Sequence, residues 1–385
     1  MVELSVIYSL DELKALIRKM EFYKTDPQLL LDLINKAKTL GESERRRLIR
    51  LGRRARELSR VLDKIKFCRF PLLKDIDGVK DAPAGAVDGS FQITGGIGGT
   101  WYVMVGAAYV IAPRGFGGAI NYKVSTDMVV ARDPDESSVK RRAEVLMMLL
   151  ETKCIRLLRN ELSTQGGGTI FIDGPIMDPP WFLDRDYISD RARVIKESLS
   201  SNIRVLGIIK RVMGSLLLHE VHKVIDQKLL EEYTCDRDFI SLILNYSLIR
   251  GGHGPVFTKP LEYPRRGANL SNYDKKTYKL YKMYLNEGIY IYYSYFKNSV
   301  RDRVYRVELA TEEELSEKEL DEEYMKIAQL IALWSLPGFS IPLLVMIAHD
   351  KCNIRKGAAE TLYYEIIAKM LNQEELMHWT SLLSG

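Results

Sequence analysis

The hydrophobic period of the chain changes at Ala86, and that change restricts what it can fold into. Upstream, apolar residues recur at helical spacing. From Ala86 onward, three β-rich segments (86–93, 101–112 and 119–131) follow one another, separated only by "TGGIGG" and "APRGFGG". Short glycine-rich links join antiparallel neighbours, because parallel strands need a much longer crossover. An antiparallel three-stranded meander is expected. "DPDESSVKRRAEVLMMLLETKCIRLLRNEL" then reads as a long helix with acids in its first turn. Two short apolar strands come next, at 169–176 and 202–212, which makes the chain α/β.

Other segments fill in around this core. Residues 8–39 read as helical, with Ser9 as an N-cap and a second helix starting at Asp26-Pro27. "GESERRRLIRLGRRARELSRVLDKIKFCRF" reads as a further, basic helix. Residues 45–69 contain eleven Lys/Arg against two acids, a local excess that the whole-chain net of +5 hides. Residues 213–285 mix helix and loop. "GIYIYYSYFK" and "VYRVELA" look like paired strands. Eight acids between Glu312 and Glu323 lead into an amphipathic helix, and two more helices close the chain, with His349 between them or at the end of the first.

The balance of 46% hydrophobic and 28% charged residues over 385 positions is that of a globular chain with room for a large core. Cys68, Cys154, Cys235 and Cys352 are far apart and form no CxxC pair. That argues against a disulfide framework or a cysteine zinc site and fits a reducing, cytoplasmic compartment. The N-terminus lacks the layout of a signal peptide, and no apolar run approaches the length of a membrane span.

Two strands carry a lone acid followed by glycine: Val87-Asp88-Gly89 and Ile172-Asp173-Gly174. A buried carboxylate is unfavourable unless a partner offsets its charge. For either Asp-Gly alone, a turn is the simpler explanation. The pair together, with a helix between them carrying Glu144 and Glu151 on one face, points instead to carboxylates converging at one end of a sheet. Glu151 also interrupts an apolar run. Oxygen ligands of this kind suit Mg²⁺ or Mn²⁺, and two such ions are the usual apparatus of phosphodiester hydrolysis.

The ordered set "AVDGS", a helix with an apolar-flanked Glu, "FIDGPI", "LGIIKR", "YRVELA" and "PLLVMIAHDKCNI" resembles the NurA nuclease family, from about Ala86 to Ile354. The resemblance implies a ribonuclease-H-like mixed sheet with flanking helices and an N-terminal helical region. It divides the chain into residues 1–80 and a nuclease domain at 81–385, with an insertion at about 213–285. It implies Mn²⁺ or Mg²⁺ as cofactor, with two ions, and a homodimer working with a HerA-type hexameric translocase in DNA end resection. Cutting of single strands and 5′-to-3′ degradation of DNA ends are also implied. By the same resemblance Asp88 and Asp173 are strand metal ligands, Glu151 is the helix ligand with Glu144 second, and His349 is the late active-site histidine. Asp88 would bridge both ions, and His349 would ligate one or move a proton. Lys210 is a candidate phosphate contact or a screen for the acids, with a plain surface lysine as its alternative.

Other signals are weaker. "LHEVHK" spaces His219 and His222 three apart, where the zinc-protease motif needs four. The glycine-rich links lack the GK[ST] of a phosphate loop. The tyrosines of "YLNEGIYIYYSYF" fit a core better than base stacking. The basic helix, with Arg53 and Arg54, is either a solvated face or a DNA contact. The acidic run is either a partner surface or an acid-rich helix start. Two other functions stay open: a catalytically silent DNA-binding scaffold subunit of a motor, and an actin-like ATPase.

Overall fold

A computed structural model describes residues 26–71, 77–177, 181–222, 225, 230, 233–251, 254–264, 272–336 and 340–370. The expected N-cap at Ser9 lies outside them. The chain divides into two compact units, Met1–Ala55 and Arg56–Gly385. The first described helix is α1 (Pro27–Lys64), and Asp26 caps it by accepting from the Gln28 and Leu29 amides at 2.9 and 3.1 Å. The sequence suggests two helices meeting near Gly41, but a single helix runs through. A glycine costs a helix interior about 1 kcal/mol relative to alanine without breaking its hydrogen bonds.

The second unit includes the one-turn helix α2 (Asp77–Lys80) and is built on one mixed sheet. Strands β2 (Ala84–Gly95), β3 (Thr100–Ala112) and β4 (Asn121–Arg132) form the expected antiparallel meander, with Asp88 opposite Ala108. The first link needs its glycines. Gly95, Gly96, Gly98 and Gly99 all have φ between 60° and 103°, where a side chain is strained. Helix α3 (Glu136–Ser163), N-capped by Asp135, carries the chain back across β2 and β3. Strand β5 (Gly168–Ile172) can therefore pair parallel to β2. Helix α4 (Arg185–Ser200) makes the next crossover, and β6 (Ile203–Ile209) pairs parallel to β5. Both strands stop short of their expected ends: Gly174 turns the chain away after β5 with φ 146°, and the chain bends at Lys210 and Arg211 after β6.

Beyond β6 the sheet is antiparallel. In sequence order the remaining strands are β1 (Cys68–Arg69), β7 (Val256–Thr258), β8 (Leu261–Glu262), β9 (Tyr290–Lys297) and β10 (Tyr305–Thr311). Across the sheet the order is β1-β7-β9-β10-β6-β5-β2-β3-β4, with β8 also on β9. Segment 213–285 thus adds two short strands to the sheet. It also contains α5 (Leu216–Val221), α6 (Asp236–Gly251) and α7 (Asn272–Asn286). Tyr284, Tyr292, Tyr293 and Tyr295 are all 2% exposed or less, so the tyrosine run is core.

Helix α8 (Glu317–Trp334) starts with a capping box between Ser316 and Glu319. Part of the acidic run is used internally: Glu317 pairs with Lys259, Asp321 with Arg69 and Glu323 with Arg204. Helices α9 (Leu343–Cys352) and α10 (Lys356–Met370) follow, and α9 packs on β2 and β3. Among the described residues no helix is long and apolar enough to cross a membrane.

Candidate metal and nuclease site

Parallel pairing of β2 with β5 brings the two Asp-Gly steps to the same place. Val87 is opposite Ile172, and the Asp173 amide donates to the Val87 carbonyl at 2.9 Å, one residue past the strand. Asp88 is 6% exposed and follows Val87 directly. Its Oδ1 accepts from the Gly89 amide at 2.8 Å, and its Oδ2 lies 2.7 Å from His349 Nδ1. The same imidazole nitrogen is 3.6 Å from Asp173 Oδ2, and Lys210 Nζ donates to Asp173 Oδ2 at 2.5 Å. One ligand atom from each of Asp88, Asp173 and His349 can be chosen so that all lie within 4.8 Å of one another.

His349 is brought in by the last turn of α9. Ser90, two residues beyond Asp88, donates from its hydroxyl to the Cys352 carbonyl and accepts from the Ile354 amide at 3.2 Å. The strand that carries Asp88 therefore also fixes the end of the helix that carries His349. The histidine side chain remains 58% exposed, whereas both aspartates are under 10%. Burial, reinforced by the nearby charge of Asp173, pushes the Asp88 carboxyl up to about 7. Burial also raises the Cys352 thiol beside it, with Asp88 adding to the effect.

Glu151 approaches from α3. A Cβ built on Gly89 would lie 3.5 Å from Glu151 Oε2, so this carboxylate faces the strand next to Asp88. Its other oxygen, Oε1, accepts from Arg191 Nη2 of α4 at 3.1 Å. Arg191 is 1% exposed and also donates to Thr152 Oγ1. Glu144 sits two turns earlier, about 10 Å along the helix axis, and is half-buried. Arg53 and Arg54 lie on α1, Arg53 exposed and Arg54 half-buried.

The turn after Asp173 is fixed from below. The Ile176 amide donates to Glu308 Oε2 of β10 at 2.8 Å. Glu308 is fully buried, and its other oxygen takes bonds from Tyr263 and from Arg306 Nη2. Gly207 is required here, since a Cβ would come within 2.9 Å of both the Gly174 carbonyl and the Ile176 amide. Glu308 and Arg191 were not singled out in the sequence. Glu308 does carry the same signal as Asp88, a lone acid within an apolar strand. Arg191, in a helix with charges on several sides, carries none.

Asp88, Asp173, Lys210 and His349 line a cleft of about 580 Å³ that also includes Trp181, Lys276 and Arg306. Two buried carboxylates, an imidazole and a neighbouring glutamate at the carboxyl ends of parallel strands form a donor set that fits a divalent cation. Ligands of α/β sheets bind at that end.

The fold has counterparts among solved structures. The crystal structure of the NurA nuclease from Sulfolobus solfataricus overlays with a TM-score of 0.55 at 14% identity, covering 90% of this chain and 98% of that one. A second NurA crystal structure gives 0.35 at 13% identity, over 80% of this chain and 91% of that one. The catalytic domain of human endonuclease V gives 0.33 at 13% identity, over 86% and 98%. No curated protein matches the chain. The mixed sheet and its flanking helices are those of a ribonuclease-H-like nuclease fold. The NurA domain family matches residues 84–354, and the chain belongs to that family.

Proposed function

We propose that the chain is a divalent-metal-dependent deoxyribonuclease whose site is formed by Asp88, Asp173, Glu151 and His349. The observation that carries this reading is the convergence of Asp88, Asp173 and His349 ligand atoms within 4.8 Å, from two strands and a late helix. Asp88 and Asp173 would hold the ion, with His349 and the Glu151 oxygen nearest Gly89 completing its surroundings. A bound Mn²⁺ or Mg²⁺ supplies activation of water and neutralisation of charge on the phosphate.

The protein groups do the positioning. Arg191 holds one Glu151 oxygen, which directs the other toward the strand. Lys210 offsets the charge of Asp173 at the cleft wall, where a DNA phosphate would also meet it. His349 is the exposed member of the set and can exchange a proton with solvent or a leaving oxygen. Family membership supports the finer reading: single-strand cutting and 5′-to-3′ degradation during end resection for break repair, by a homodimer working with a HerA-type translocase. The test is cleavage of end-labelled DNA with Mn²⁺, Mg²⁺ or EDTA. The label reports polarity, and adding a purified translocase reports the partnership. Cutting that ignores EDTA would defeat the metal reading.

A further inference from the structure

The cleft has a wall to which the site chemistry gives no task. Trp181 stands on it, between β5 and α4, and is 40% exposed. Its indole is backed rather than loose: Phe182 lies 5.7 Å away between ring centroids, and Phe182 in turn packs on Tyr187 of α4 at 5.3 Å. Exposed Met213, which also lines the cleft, extends the apolar surface. Arg306 lines the same cleft and is 8% exposed. It donates to Glu308 and lies against the rings of Tyr263 and Tyr293, 5.6 and 5.9 Å from their centroids. A supported, exposed aromatic face in the same cleft as Asp88, Asp173, Lys210 and His349 suits the base of a nucleotide whose phosphate meets those groups.

We propose that Trp181 is a base-binding residue of this cleft: its indole stacks on the base of a nucleotide whose phosphate lies at the Asp88, Asp173 and His349 cluster. The proposal rests on the nuclease reading and adds to it the residue that grips the substrate beside the reacting phosphate. A stacked indole reads no base identity, because every base has a π-face, so the grip is sequence-tolerant. It does require a base free of its neighbours on one side.

The experiment compares equilibrium binding of oligothymidylate with binding of an oligomer of equal length made of tetrahydrofuran abasic units, in EDTA so that nothing is cut. Trp181→Leu keeps apolar bulk without a ring, and Trp181→Phe keeps a ring. The expected result is that Trp181→Leu weakens oligothymidylate binding by roughly 5- to 150-fold, the range of one lost base–aromatic stack, and leaves abasic binding within about twofold. Trp181→Phe recovers most of the loss. Equal weakening on both oligomers, no weakening on either, or identical behaviour of the Leu and Phe variants would overturn the assignment. Cleavage by the wild type with Mn²⁺ is scored separately, so a failed nuclease reading and a failed base contact give different patterns.

Discussion

Asp88 sets the pH behaviour of the site. In an unfolded chain its carboxyl titrates near the ordinary aspartate value of about 3.9. In the fold, burial and the charge of Asp173 raise it to about 7. Between those values the native state holds more protons than the unfolded state, so this group makes stability fall as pH rises from about 4 to about 7. The slope is at most about 1.4 kcal/mol per pH unit, and Asp88→Asn should remove it from urea-melt stabilities measured in EDTA. A cation that binds here competes with that proton. Mn²⁺ should therefore raise the melting temperature more at about pH 8 than at about pH 6, and Asp88→Asn should lose most of the increase. Equal metal stabilisation of the two proteins would place the ion elsewhere. A second prediction concerns Arg191, which is 1% exposed and paired with Glu151. Arg191→Met leaves a buried carboxylate without its partner and should cost about 3–5 kcal/mol in denaturant melts. The double variant with Glu151→Gln should recover part of that.

At the scale of elements, the packing of α3 on β2 decides where Glu151 points. Two glycines on β2 permit the close approach, and they differ in what a methyl would meet. On Gly85 it would come within 2.6 Å of the Val110 carbonyl and 2.7 Å of Leu158. On Gly89 it would meet the flexible Met147 side chain at 2.8 Å. Gly85→Ala should destabilise by about 1–3 kcal/mol and Gly89→Ala by less, as read by thermal melting. Gly89→Ala should still lower cleavage, because its methyl approaches Glu151 Oε2. The meander, α3 and the paired strands β9 and β10 could be read from the sequence, because long runs show their period. The two- and three-residue strands β1, β7 and β8 are too short to show one. Chain bends, not composition, set the ends of β5 and β6. At the site, Asp88 and Asp173 were legible as lone acids in apolar strands. Arg191 and the Ser90 clamp on α9 were not, because they depend on which helix covers which strand.

On the scale of the whole molecule, net charge misleads. The +5 total averages a strongly basic stretch at 45–69 with an acidic run at 312–323. The fold uses part of the acidic run in ion pairs with Arg69, Arg204 and Lys259. If the basic helix touches DNA, affinity for single strands should fall with salt by about 0.7 in log–log slope for each phosphate contact. Replacing Arg53 and Arg54 with alanine should then reduce the slope by about 1.4; an unchanged slope would make them a solvated face. The role of Asp88 in metal-dependent hydrolysis is decided by cleavage of end-labelled single- and double-stranded DNA with Mn²⁺, Mg²⁺ or EDTA, wild type beside Asp88→Asn. Cutting should require the metal and disappear in the variant, while the variant stays folded and still binds DNA. Undiminished cutting by Asp88→Asn, in a preparation free of contaminating nuclease, would contradict that role.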